Sequence, residues 1–527
     1  MSAQPPSYGR QQVYGYLKRY FGFDDFRLGQ ADVIRSILSG KEAIAVLPTG
    51  GGKSLCYQLP AILMPGTSLV ISPLIALMRD QVMALRQRGI PAASIDSSQD
   101  YAEREAVEQA FVEGQLKLLY VSPERLNAQR FLDMLQLVEV PFVAVDEAHC
   151  VLRWGHEFRE AYLGIRPFLD ALKPRHVAAF TATATPQLRS ELAETLGLKD
   201  PDVYVRGFFR SNLHLEHEKM ASEAARHKKL LQLVRGRSGN APALIYAATR
   251  QATEDAAAML CRAGVNASFY HGGCESDYRS RAQDEFVADE LDALVATNAF
   301  GMGIDKPDLR LLVHLSLPRS FEDYYQEVGR AGRDGKDSQV VTLWRGADYR
   351  TQSFLIDQQP DPGYREAAMR RLNRMYDALR STHCVWKRVL EYFGDPDVAA
   401  LDRGCNACVG CRNPKRELRS LDGKDLKSCL AILTCVKQLD GRFGRARIVK
   451  ILKGSKAQGV PDWPDSYGSL PKARLADLES FCQKLLDGGY LEVVGSEYPT
   501  LGLAARGCSA LEGAEEIAIA MSSSAHS

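Results

Sequence analysis

Short apolar runs of four or five residues recur along the first two thirds of this chain, each followed by loop or helix-starting residues. Ala43–Leu47, Ser68–Ser72, Leu118–Val121 and Phe142–Val145 form one set. Ala243–Tyr246, Ala267–Tyr270, Ala293–Ala296 and Leu311–His314 form a second, which restarts after residue 207. Runs this short and this apolar read as strands buried on both faces. That arrangement belongs to a parallel sheet with helices packed on either side. The expected class is therefore α/β, with two parallel-sheet domains in tandem and a cleft between them.

The pattern changes near residue 346. Residues 363–393 carry Arg, Ala, Leu and Met at helical spacing, and a cysteine cluster follows. Helices are predicted around 426–439, 448–452 and 472–487, then a hairpin over 490–503. The predicted boundaries are 1–206 and 207–345 for the α/β domains, 346–415 for a helical metal-binding module, and 416–507 for a small C-terminal domain. Residues 508–527, rich in Ala, Ser and Glu, are expected to form a disordered tail. A length of 527 residues accommodates this many domains. The N-terminus lacks the apolar run of an export signal and no stretch is long enough to span a membrane, so a cytoplasmic protein is expected. Net charge is only +1. Any binding of a polyanion must therefore come from local patches.

Pro48-Thr49-Gly50-Gly51-Gly52-Lys53-Ser54 follows the first strand and should open a helix. The residues Thr49 to Gly52 can turn backbone N–H groups toward phosphates, Lys53 can reach the terminal phosphates, and the Ser54 hydroxyl can hold Mg²⁺. Leu47 stands where many such loops have Gly or Ala. Asp146-Glu147-Ala148-His149 follows the strand Phe142–Val145. Asp146 would orient Mg²⁺ through its waters and Glu147 would polarise the attacking water. In the second block, Arg330 and Arg333 are three residues apart, a spacing that puts them on one face of a helical turn. From there they could stabilise charge on a transferring phosphoryl group. A nucleoside triphosphate and Mg²⁺ are thus the expected substrate and ion.

Cys405, Cys408 and Cys411 form a double C-x-x-C. With Cys384, on a predicted helix, or its neighbour His383 as the fourth ligand, they can close a tetrahedral Zn²⁺ shell. Trp154, His156, Phe158 and Arg159 follow the acidic motif closely. Aromatics interleaved with arginine suit stacking on unpaired bases and phosphate contact.

Taken together, these motifs resemble superfamily-two helicases, and more narrowly the RecQ family of DNA helicases. Further matches are Ser72–Gln81, Tyr120–Leu126, Phe180–Pro186 and Ala296–Asp305, so the resemblance runs from residue 14 to about 507. Phe21–Gln30 resembles that family's adenine-recognition motif, which implies that Gln30 reads the adenine edge, Phe23 stacks on the base and Arg27 assists. The four zinc ligands of the family are cysteines, which selects Cys384. Residues 150–162 resemble the aromatic-rich loop that couples DNA contact to hydrolysis, departing from it at Leu152, Arg153 and Glu160. The two α/β blocks are implied to be RecA-like. Residues 425–507 resemble the family's winged-helix domain, with Arg442 and Arg445 in a basic stretch suited to duplex phosphates. Tyr498, at the expected hairpin tip, could stack on the last base pair; opening one step costs about 1.4 kcal/mol.

The resemblance implies an ATP-dependent DNA helicase of 3′-to-5′ polarity, acting in repair and recombination. It implies single-stranded, forked or duplex DNA as partner, admits a single-stranded-DNA-binding protein beside it, and fits a monomer. The family's additional C-terminal helical domain is not expected here. An RNA-directed motor would share the nucleotide site, but the zinc module and winged helix argue against it.

Overall fold

The computed structural model describes residues 8–48, 50–96, 99–152, 160–237, 241–300, 306–381, 383–412, 418–421, 423–494 and 500–520. The chain divides into two compact units, 1–375 with 386–407, and 376–385 with 408–527.

The first unit holds two sheets. Strands β1 (Ala43–Val46), β2 (Ser68–Ile71), β3 (Ala92–Ile95), β4 (Leu118–Val121), β5 (Phe142–Val145), β6 (His176–Thr181) and β7 (Asp202–Val205) line up as 3-4-2-5-6-1-7. Every pairing is parallel. Strands β8 (Leu213–Lys219), β9 (Ala243–Tyr246), β10 (Ala267–Tyr270), β11 (Ala293–Ala296), β12 (Leu311–His314) and β13 (Ser338–Trp344) form the second sheet, ordered 10-11-9-12-13-8 and also parallel. All four residues of β1, β2, β4, β5, β9, β11 and β12 are buried. That burial is the physical reason these strands are nearly without polar residues. The tandem parallel-sheet architecture is therefore as expected.

Helices Pro362–Arg380 and Val385–Phe393 follow, as the helical spacing predicts. Cys384 is not on a helix, however. It lies between these two, immediately before Val385.

The second unit packs helices Gly423–Leu439, Arg445–Leu452 and Leu475–Asp487 around one core. Strand Leu491–Val494 pairs antiparallel with Thr500–Leu503, as a hairpin should. The tail expected over 508–527 is corrected as far as residue 520, and residues 521–527 lie outside the described residues. Residues 505–511 form a helix, and Ala518–Ala520 is a strand antiparallel to Leu418–Ser420. Ile517 and Ile519 are buried in the same core as Ile448, Leu478 and Tyr490. The Tyr490 hydroxyl accepts from the Ala518 amide at 2.9 Å and donates to the Glu516 carbonyl at 3.1 Å. Two isoleucines two residues apart place both side chains on one face of a strand. That outweighs the polar composition around them.

Among the described residues, no helix is long and apolar enough to cross a membrane.

Candidate nucleotide site, zinc cluster and nucleic-acid surfaces

The glycine-rich loop leaves β1 and ends at Gly52, which caps helix Lys53–Leu63 with φ +78°. A Cβ there would lie 2.3 Å from Gln30 Nε2, so only glycine fits both the left-handed backbone and the close approach. The helix N-terminus then presents unpaired N–H groups, a ready site for phosphate.

Gln30 and Arg27 brace this loop. Gln30 Nε2 donates to the Gly51 and Gly52 carbonyls, each at 3.1 Å, and Arg27 Nη1 donates to the Gly50 carbonyl at 2.6 Å. Gln30 Oε1 accepts from the Arg27 amide at 2.8 Å. The two polar residues of the predicted adenine motif thus sit against the phosphate loop. Phe23, 49% exposed, offers a free ring face for stacking. Thr49 lies outside the described residues.

The acidic motif stands at the end of β5. Asp146 is buried, and Glu147 takes a left-handed conformation with φ +45°, which is strained for a non-glycine residue. This turn brings Glu147 Oε1 to 3.1 Å from Lys53 Nζ. Burial pushes the Asp146 carboxyl up to about 6; the Glu147 charge pushes the same way and Lys53 opposes it. Glu147 Oε2 lies 3.4 Å from His149 Nδ1, and that nitrogen lies 2.9 Å from Thr181 Oγ1 at the end of β6. The Tyr162 hydroxyl donates to the Asp146 carbonyl at 2.9 Å. Sequence reasoning did not single out His149 or Thr181 as site residues. A histidine inside an acidic strand-end motif was the available signal.

The arginines arrive from the second sheet domain, but not on a helix. Helix Phe321–Val328 stops before them, and Arg330 and Arg333 lie in the turn that follows. Gly329 and Gly332 interrupt the helical spacing on which that expectation rested. Arg333 nevertheless faces the phosphate loop: its Cγ lies 3.5 Å from where a Cβ on Gly50 would be. Arg330 is beside the buried Tyr246, whose hydroxyl burial pushes up to about 12 while Arg330 opposes the rise. Arg210, from the stretch joining the two sheets, is pushed below its usual range first by burial, and also by the charges of Arg333 and Arg27. Arginines crowded this closely repel one another, and a polyanion such as a triphosphate offsets that repulsion. A carboxylate pair beside Lys53 supplies the oxygen donors that suit Mg²⁺.

The four thiols Cys384, Cys405, Cys408 and Cys411 bring their sulphur atoms within 4.8 Å of one another. Zn–S bonds of about 2.3 Å require S···S separations near 4 Å, so the set fits a closed tetrahedral zinc site. His383, the rival ligand, points instead toward Asp487, with Nε2 at 3.6 Å from Oδ1.

The nucleic-acid contacts read from sequence fare unevenly. Trp154, His156, Phe158, Arg159 and Tyr498 lie outside the described residues. Arg442 is exposed on the second unit and free to meet phosphate. Arg445 is half-buried, bonded to Asp377 and, at 2.7 Å, to Gln483 Oε1. Its charge is already committed within the protein.

A phosphate loop, an acidic pair facing its lysine, and an arginine delivered across the cleft from a second parallel-sheet domain define a two-lobed helicase motor driven by a nucleoside triphosphate. Comparison with known proteins narrows the class. Family profiles match for a DEAD/DEAH box helicase at 27–190, a helicase conserved C-terminal domain at 225–335, RecQ zinc-binding at 346–412, and an RQC domain at 424–527. The chain is 36% identical to ATP-dependent DNA helicase RecQ of Bacillus subtilis (strain 168), over 95% of this chain and 84% of that protein. It is 34% identical to the protein of the same name from Haemophilus influenzae, over 96% of this chain and 80% of that one. The solved DUF1998 helicase MrfA bound to DNA shares the fold at TM-score 0.53 and 16% identity, covering 70% of this chain and 55% of that one. The chain belongs to the RecQ family of ATP-dependent DNA helicases, enzymes typical of DNA repair and recombination.

Proposed function

We propose that this enzyme moves 3′ to 5′ along one DNA strand and forces the complementary strand away, drawing on ATP cleaved between its two sheet domains. The observation that carries the reading is the meeting of Lys53, Glu147 and Arg333 around one loop. Ser54 and Asp146 would hold Mg²⁺, which when bound would neutralise charge at the phosphates. Lys53 leaves Glu147 for the terminal phosphates as ATP enters. The freed Glu147 carboxylate then orients the attacking water and accepts its proton. Arg330 and Arg333 stabilise charge on the transferring group, which ties hydrolysis to closure of the cleft. Phe23, Arg27 and Gln30 select adenine.

Trp154, His156, Phe158 and Arg159 meet the single strand, Arg442 meets duplex phosphate, and Tyr498 caps the junction. The cysteine set holds a structural zinc. One chain carries both lobes and both arginines, so a monomer completes the site. A single-stranded-DNA-binding protein is a fitting partner because it would trap the displaced strand. Bacterial relatives support a cytoplasmic place of action.

The test is strand separation on duplexes with a 3′ or a 5′ single-stranded tail, with and without ATP. Unwinding of the 3′-tailed DNA alone, and only with ATP, is expected. Preference for the 5′ tail would reverse the polarity, and activity confined to RNA duplexes would overturn the substrate.

A further inference from the structure

The turn that carries Arg330 and Arg333 is held from outside itself. Arg210 Nη1 donates to the Gly329 carbonyl at 3.3 Å, and its Nη2 donates to the Gly332 carbonyl. Asn212 Nδ2 donates to the Gly332 and Lys336 carbonyls, each at 2.9 Å. The Asn212 carbonyl accepts from the Ser338 amide at 2.9 Å, which fixes the asparagine at the start of β13. Gly332 has φ +54°, and a Cβ on it would lie 2.6 Å from Asn212 Nδ2, 2.7 Å from Ser338 Oγ and 2.8 Å from the Lys336 carbonyl. At Gly332 the turn is therefore pressed against Asn212, Ser338 and the Lys336 carbonyl, with no room for a side chain.

Arg210 and Asn212 belong to the stretch between β7 and β8 that joins the two sheet domains. The same stretch is fixed at Phe208, whose carbonyl accepts from the Tyr325 hydroxyl at 2.9 Å. Tyr325 lies on the helix that leads into the arginine turn. The joining segment thus grips both ends of the element that bears the arginines.

We propose that Arg210, assisted by Asn212, is a positioning residue that sets the reach of Arg330 and Arg333 by clamping the turn to the segment linking the lobes. A planar guanidinium can span two carbonyls three residues apart, and a lysine ammonium at the same place has no such fork. The role needs no contact between Arg210 and the nucleotide. It rests on the reading that Arg330 and Arg333 act on the terminal phosphate.

The test compares DNA-stimulated ATP hydrolysis by the full chain and its Arg210→Ala, Arg210→Lys, Asn212→Ala and Arg333→Ala variants, together with Arg210→Ala combined with Arg333→Ala. A misplaced catalytic group of this kind lowers kcat by about 100-fold. That drop is expected for both Arg210 variants, and a smaller one for Asn212→Ala, with KM for ATP held within about threefold. Once Arg333 is absent, Arg210→Ala should lower kcat little further, because both act through the same group.

Thermal melting identifies any variant that fails to fold; should Arg210→Ala do so, Arg210→Lys carries the test, because it keeps the charge and stem. An Arg210→Lys enzyme with wild-type kcat would overturn the proposal. So would an equal further loss in the Arg333→Ala background. A normal kcat in Arg333→Ala would instead overturn the reading of the arginines on which the proposal stands.

Discussion

Ile519→Ala tests whether the C-terminal strand is part of the second unit's core. Ile519 is fully buried among Ile448, Leu478, Cys482 and Tyr490. Truncating a buried isoleucine to alanine removes three carbons from water-free contact and leaves a cavity, at about 2–5 kcal/mol. At about 1.4 kcal/mol per decade, that raises the opened population of the unit roughly 30- to 4,000-fold. Amide exchange followed by mass spectrometry on helix Leu475–Asp487 reads this directly, because that helix supplies Leu478, Cys482 and Leu485 to the same core. The control is Arg474→Ala, whose side chain is 83% exposed and pairs with Asp477, three residues on. Its effect should stay within about 0.5 kcal/mol. If Ile519→Ala exchanges no faster than this control, residues 518–520 contribute nothing to the core and the packing described above is wrong.

Lys53→Ala should abolish ATP hydrolysis while DNA binding, measured by fluorescence anisotropy, survives; normal turnover would remove Lys53 from the site. Glu147→Gln keeps the shape of the side chain but cannot accept a proton, so it should lower kcat by about 100-fold or more with little change in nucleotide affinity. Cys408→Ala removes one of four thiolates and should reduce both zinc content by elemental analysis and soluble yield; unchanged stoichiometry would count against the cluster. Arg442→Ala should weaken duplex binding and reduce its salt dependence by about one released counterion. Arg445→Ala should leave that salt dependence as it is and loosen the second unit instead, since Arg445 pairs with Asp377 and Gln483.

What the sequence disclosed depended on how local the deciding forces were. Strands such as β5 and β11, buried on both faces, announce themselves as apolar runs. Strand β8, Leu-His-Leu-Glu-His-Glu-Lys, sits at a sheet edge and buries only alternate residues near its start, so no run marks it. Strand β3, Ala-Ala-Ser-Ile, is fully buried yet too small and mixed to stand out. The phosphate loop, the acidic pair and the cysteine set were legible because each is contiguous or nearly so and its chemistry fixes the residue types. Arg445 was misleading for the opposite reason. A basic stretch looks the same whether an arginine meets solvent or an aspartate 68 residues away. The same limit hid Arg210, whose partners lie about 120 residues downstream and are backbone carbonyls without a sequence signature.

The resting geometry also constrains how chemistry reaches the DNA. Lys53 already sits 3.1 Å from the Glu147 carboxylate, so a terminal phosphate arriving there competes for the same ammonium. Arrival of a triphosphate would therefore weaken the hold of Lys53 on Glu147, whose other oxygen is 3.4 Å from His149. His149 meets Thr181 on one side and is itself part of the turn Ala148–Val151. That turn runs within two residues of Arg153, where the aromatic segment begins. The event at the phosphate and the segment expected to hold the strand are thus linked through one short turn. On that expectation, hydrolysis would need no long allosteric route to respond to a bound strand, because only the turn Ala148–Val151 and Leu152 separate Glu147 from the start of the segment in sequence.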